Sequence, residues 1–400
     1  MSYRSQAVSM PLAAAMSMPC LAFASQVLPS RLDFLETITF RPLGYIGSGM
    51  KHMPLPAFEK CAVIKWLAWK PSPEHLYSRP NGFNLARAIQ AMVTFLRDAR
   101  PVHTYSIVAR DPETGEMGVA VQSHWFSVGT VVTWGEAGVG VVATQAMSNP
   151  SYGPKGLELM RKGISAEKAL RSLLREDPGR EVRQVAMLDA KGSVAAHTGR
   201  KCIPCAGHLV ATDFSVQANM MLNDQVWPEM AKRLKSWKGS LSERLVAALE
   251  AGEEAGGDIR GRQSAALLVV KGQGTGRVWE DRVVDLRVDD SREPLDELKR
   301  LLKVHRAYQH MNMGDEAMER EDMPMAMKHY STAEALFPRN LEMRFWHAVT
   351  LANNGSAEEA LPIFHRVFAQ DEDWKELAAR LARIGMLKVD KEGLSRIMEQ

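Results

Sequence analysis

"TYSIVARDPETGEMGVAVQSHWFSVG", residues 104–129, sets two strand-like runs either side of a turn. TYSIVAR and MGVAVQS are strand-like runs, and Asp111-Pro112-Glu113-Thr114-Gly115 joins them as a turn in which Pro presets φ and Gly permits a positive one. The spacing predicts a tight antiparallel hairpin. Thr104 stands at the head of its first strand, and Ser123 and His124 stand at the end of its second. Adjacent strand residues point to opposite faces, so Ser123 and His124 do not pair readily with each other.

Downstream, TVVTW and VGVVATQ read as further apolar strands, and helices are expected near 154–162 and 165–175. VRQVAMLDAKGSVAAHTG is a second hairpin turning at Asp189–Gly192, and helices follow near 224–236 and 240–255. SAALLVVKGQGTGRVWEDRVVDLRV closes the series as a last meander. Strand hairpins alternating with helix pairs imply an α+β fold of two antiparallel sheets covered by helices. After 293 the strands stop and a 34-residue self-similarity begins. Gly314, Ala317, Ala326, Tyr330 and Ala333 recur as Ala348, Leu351, Ala360, Phe364 and Val367, which is the tetratricopeptide period. Two repeats need caps, expected at 293–309 and 373–385. The domains are thus 1–103, 104–290 and 293–400.

Of the 50 Lys and Arg and 47 Asp and Glu, residues 1–103 carry 11 and 5, so the basic excess belongs to the leading segment alone. The remainder has no electrostatic footprint for nucleic acid. No run approaches the roughly 20 apolar residues of a membrane helix. Four cysteines are too few for a disulfide framework, which favours a reducing, cytoplasmic setting. Ala22-Phe23-Ala24 before Ser25 carries the grammar of a signal peptide, whose use would instead mean export. In the leading segment only residues 81–99 read as an amphipathic helix, with Phe83, Ala86, Ala88, Met92 and Phe95 toward one side. The rest of residues 1–103 reads as a poorly ordered extension or an overlong start.

Several clusters could carry chemistry. A threonine at a free N-terminus can attack an amide while its α-amine, with an ordinary pKa of about 7.7–8.0, accepts the hydroxyl proton. TQAMSNPSYGPKG is a loop, containing Asn149 and Tyr152, that leads into a helix whose N-terminus could hold an anion. GGDIRGRQ sets Asp258, Arg260 and Arg262 before a buried strand, where Arg could clamp a carboxylate. His197, Cys202, Cys205 and His208 have donor types suited to zinc, but the reading preferred is two reduced thiols in a loop, with no metal and no cofactor.

Taken in order, TYSIVARDPETGEMGVAVQSHWFSVG, GVGVVATQA, PSYGPKGLELMRKG, AHTGRKCIPCAGH, FSVQANMMLNDQVWPEM and GGDIRGRQSAALLVV resemble the bacterial family called domain of unknown function 1028. The resemblance implies a four-layer αββα sandwich of the N-terminal nucleophile hydrolase type, followed here by a small all-α tetratricopeptide-like domain. On that fold Thr104 is the expected nucleophile, with Ser123 and His124 as the other catalytic candidates, and Asn149, Tyr152, Asn219, Asp258, Arg260 and Arg262 are the expected substrate-binding set. These residues are expected to converge near Thr104. Family members often begin Met-Thr, whereas Thr104 follows His103, so only cleavage between 103 and 104 would free its amine. Cys205 is also atypical. The expected function is an amide-bond hydrolase acting on a small acidic or amide-containing substrate, with self-association and a protein partner at the repeats. The alternative is a non-catalytic ligand- or peptidoglycan-binding module with a helical scaffold.

Overall fold

The computed structural model describes residues 100–102 and 104–400, so the readings of a signal peptide and of a helix at 81–99 lie outside the described residues. In chain order the strands are β1 (Arg100–Val102), β2 (Thr104–Arg110), β3 (Met117–Ser123), β4 (Thr133–Glu136) and β5 (Gly140–Ser148), followed by helices α1 (Tyr152–Arg161) and α2 (Ala166–Glu176). Next come β6 (Arg183–Asp189), β7 (Val194–Thr198), β8 (Gly207–Ala211) and β9 (Phe214–Ala218), then α3 (Val226–Ser236) and α4 (Leu241–Glu254). β10 (Ser264–Val270) and β11 (Arg282–Val288) complete the sheets, and α5 (Pro294–Glu319) opens the helical region.

The 104–129 stretch forms the expected hairpin. Thr104 pairs with Ser123 and Arg110 with Met117. Gly115 closes the turn at φ +74°, a conformation that a side chain would strain, and Asp111 Oδ1 accepts from the amides of Glu113 and Thr114. Every strand pairing is antiparallel. One sheet runs β1-β5-β6-β7 with β4 also on β5, and the second runs β11-β10-β3-β2-β9-β8, which places β2 centrally.

Side-chain alternation builds the layers. Val108, Val119, Val121, Ala266 and Leu268 of the second sheet meet Val141, Ala143, Ala186 and Leu188 of the first in one buried cluster. The opposite face of the second sheet (Tyr105, Ile107, Ala120, Leu267) is covered by Met230 and Leu234 of α3 and Leu245 and Leu249 of α4. The opposite face of the first (Val142, Val185, Met187) is covered by Leu157 and Met160 of α1 and Leu170 of α2. The central strands of both sheets are therefore buried on both faces. α4 starts cleanly because Ser240 and Glu243 form a reciprocal capping box, which satisfies two amides that a helix start leaves open.

The helical region continues through α6 (Met323–Leu336), α7 (Leu341–Asn353), α8 (Ala357–Phe368), α9 (Asp373–Arg383) and α10 (Lys391–Met398). All ten positions of the 34-residue similarity are buried. Gly314 is one of them because a Cβ there would come within 2.5 Å of the Tyr330 ring. The expected separate cap at 293–309 is not separate. Residues 294–319 are a single helix, since nothing between 309 and 314 breaks it. Its Leu295, Leu298 and Leu302 pack against Val284 and Val288 of the second sheet, while its Met311 and Ala317 pack with Ala326 and Tyr330 of α6.

Candidate active site

Thr104 and Ser123 face the space between the two sheets, because they share alternation with Val108 and with Val121. The Thr104 hydroxyl donates to Ser123 Oγ at 3.1 Å. The Thr104 carbonyl accepts from the Asn219 amide at 3.1 Å, from Asn219 Nδ2 at 3.3 Å and from Gln145 Nε2 at 3.1 Å. Gln184 joins the amides together. Its Oε1 accepts from Gln145 Nε2 at 2.7 Å and from Asn219 Nδ2 at 2.9 Å, and its Nε2 donates to Thr198 Oγ1 and the Ala218 carbonyl. Thr104, Ser123, Gln145, Gln184 and Asn219 all have no exposed surface. Gln145 Oε1 has no partner, an open acceptor in the middle of this cluster.

Two left-handed residues adjoin the amides. Ala146, at φ +67°, follows Gln145, and Met220, at φ +58°, follows Asn219. Such a conformation costs a non-glycine residue on the order of 1–2 kcal/mol, and it is held here where β5 and the end of β9 bring Gln145 and Asn219 to Thr104.

The remaining predicted residues are distributed elsewhere. The His124 amide donates to Asp258 Oδ2 at 3.2 Å, and its ring lies 3.3 Å from the Arg262 carbonyl. Arg260 grips the buried Asp258 carboxylate with two nitrogens, at 3.0 and 2.7 Å. Arg262 pairs with Glu253 at 3.1 Å and with Glu293. These residues form a cluster on the helix-covered side of the second sheet, beside Tyr105. The Tyr105 phenol donates to Glu253 at 2.7 Å and is held well above its ordinary pKa by burial and by that carboxylate. Both arginines are thus occupied by carboxylates of this chain, so an acidic substrate would have to displace them.

Asn149 and Tyr152 are not brought to Thr104. Tyr152 packs on the outer face of the first sheet, which stands between the two. With Lys155 and Asp177 they line a cavity of about 170 Å³. The Tyr152 phenol donates to Asp177 Oδ2 at 3.1 Å, and burial followed by Asp177 raises its pKa. Arg183 pairs with the same carboxylate at 3.0 Å and is itself buried. Burial opposes the charge on Asp177, but the Arg183 guanidinium outweighs it and holds the carboxyl below the usual range.

The thiol loop has no common focus. The Cys202 thiol lies 3.4 Å from the Arg183 carbonyl and is pushed up to about 11 by burial. His197 Nε2 lies 2.8 Å from the Arg180 carbonyl and His208 Nδ1 lies 2.8 Å from Thr198 Oγ1. Among the described residues no group of three or more His, Cys, Asp or Glu side chains is placed to hold a metal ion. Nor is any helix among them long and apolar enough to cross a membrane.

Gln145 and Gln184 were missed by sequence reasoning as site residues. The signal was present: each is an amide in a mostly apolar strand, VVATQA and RQVAML, and a buried amide demands partners.

Residues 104–298 match the family model described as a family of unknown function, DUF1028. A crystal structure of a DUF1028 protein from Silicibacter pomeroyi is 32% identical in sequence, and the alignment covers 54% of this chain and 92% of that one, with a TM-score of 0.46. The chain belongs to the DUF1028 family. No curated protein matches it. In this DUF1028 chain the matched segment holds Thr104 and its whole amide cluster. It also runs through the first residues of α5, so the family unit extends past the last strand.

Proposed function

We propose that the DUF1028 segment is an αββα sandwich of the N-terminal nucleophile hydrolase type, and that the protein is an amide-bond hydrolase whose nucleophile is Thr104. The observation that carries this reading is Thr104 itself. It heads a central strand, its hydroxyl touches Ser123, and its carbonyl is held by Asn219 and Gln145. Strained backbone beside both amides supports it, since such strain concentrates at sites that need fixed geometry. In the chain as it stands Thr104 follows His103, so its nitrogen is a peptide nitrogen and cannot serve as base. Cleavage between 103 and 104 would supply the amine and sever β1 from β2. The helical region, with its tetratricopeptide spacing, would then dock a protein partner.

The rival is a non-catalytic ligand- or peptidoglycan-binding module on a helical scaffold. It draws on the complete burial of Thr104 and Ser123. Intact mass of the purified protein is the first measurement, and a mature chain starting at Thr104 is expected. The second is amidase activity of a chain freed at Thr104 against the same chain carrying Thr104→Ala. Loss of a nucleophile should reduce turnover by about 10³-fold or more, with the fold intact. Equal turnover by the two chains would end the hydrolase reading.

A further inference from the structure

From His310 to His329 the chain reads HMNMGDEAMEREDMPMAMKH, a run with six methionines, at 311, 313, 318, 323, 325 and 327. Three have packing work: Met311 is buried, and Met318 and Met327 are partly buried against the helical cores. Met313 and Met325 do not, being 44% and 41% exposed. At the ends of the run, His310 of α5 and His329 of α6 bring their Nδ1 atoms to 3.0 Å, with ring centroids 5.3 Å apart. Two facing ring nitrogens share one proton. Without it, two lone pairs point at one place.

Helix geometry brings the exposed thioethers alongside. Met313 is three residues after His310 and Met325 four before His329, so each neighbours its histidine at about 5–6 Å between Cβ atoms. α5 and α6 are consecutive and antiparallel, so both steps lead toward the connection at 320–322. Going round each helix, both steps also lead away from the buried side, formed by Ala307, Met311 and Gly314 on α5 and by Ala326, Tyr330 and Ala333 on α6. Two imidazoles thus meet between the helices, and on each helix an exposed thioether stands one turn nearer the connection.

All four donors are neutral, and two are soft. Thioether sulfur is a poor ligand for hard divalent ions, and imidazole with thioether selects copper in its reduced state. Metal–imidazole bonds of about 2.0–2.1 Å let two nitrogens at this separation reach one ion. Arg306, one turn before His310, pairs with Glu243, and its charge still helps to keep the His310 ring neutral. We propose that His310, Met313, Met325 and His329 form a Cu(I) site on the helical hairpin. The site does not depend on the hydrolase reading.

The test is an anaerobic titration of the full chain with Cu(I) against bathocuproine disulfonate. Cys20, Cys61, Cys202 and Cys205 are alkylated first, so that thiolates do not compete. One tightly held equivalent is expected, with mixed nitrogen and sulfur ligation by X-ray absorption. Met313→Leu with Met325→Leu keeps the helix and should weaken binding by about 10-fold or more, on the scale of losing a supporting partner. His310→Asn with His329→Asn should abolish it. The same pair of histidine variants, compared in the unblocked chain with circular dichroism matched, should cost one equivalent. No retained equivalent, affinity unchanged in the double methionine variant, or Zn(II) held more tightly than Cu(I) would each overturn the proposal.

Discussion

At the scale of single residues, the sharpest contrast is between two polar groups on either side of the first sheet. Thr104 sits among neutral amides, where no charge must be desolvated. Asp177, half-buried, sits against the buried Arg183 as an ion pair, and breaking such a pair strands a charge. Asp177→Asn is expected to lower unfolding free energy toward the lower end of about 3–5 kcal/mol, because the amide keeps part of the hydrogen bonding. The effect should depend on pH. The folded carboxyl titrates below its unfolded value, so its contribution is complete above the ordinary carboxylate pKa of about 3.9 and is lost as pH falls through the lower folded value. Denaturant melts from pH 7 to pH 2 should show wild type converging on the variant at the acid end, and parallel curves would contradict this assignment. Thr104, Ser123 and Asn219 were legible in the sequence as motif residues, and they do meet. The grouping of the rest was not. Whether Tyr152 faces Thr104 or the outer helices depends on which side of β5 the chain departs after Ser148, and periodicity carries no information about that.

At the scale of elements, the hairpin of β2 and β3 follows from local chemistry: a preset proline, a left-handed glycine and an aspartate that caps its own turn. The helix pairs follow from spacing in the same way. The long helix α5 did not, because the repeat suggested a boundary where the backbone has no reason to stop. Gly314 shows how packing decides such cases. Helix propensity alone favours Gly314→Ala by about 1 kcal/mol. Its Cβ, however, would fall 2.5 Å from a ring carbon of Tyr330, which is fully buried and donates to Asp315 at 2.8 Å. Overpacking of that kind costs about 1–3 kcal/mol, so a net loss of stability is expected. A thermal melt of Gly314→Ala at or above the wild-type temperature would show that the ring can yield.

At the scale of the molecule, α5 belongs to two bodies. At 1.5 Å per residue its 26 residues span about 39 Å, the first turns lying on the second sheet and the last on α6. Its start is also clasped, through Glu293, by Arg262. Leu295, Leu298 and Leu302 are buried there, each contributing about 1.5–3 kcal/mol. A chain ended at 290 should therefore aggregate or melt early, while one ended near 309 should stay monodisperse with the sandwich intact. Light scattering and melts of the two would decide, and equal behaviour would mean that α5 merely rests on the sheet. For an experimenter with scissors, the molecule has no clean cut between its halves. For a designer, it offers a graft point: a tail spliced on downstream of Leu302 would continue a stem already packed on the sheet.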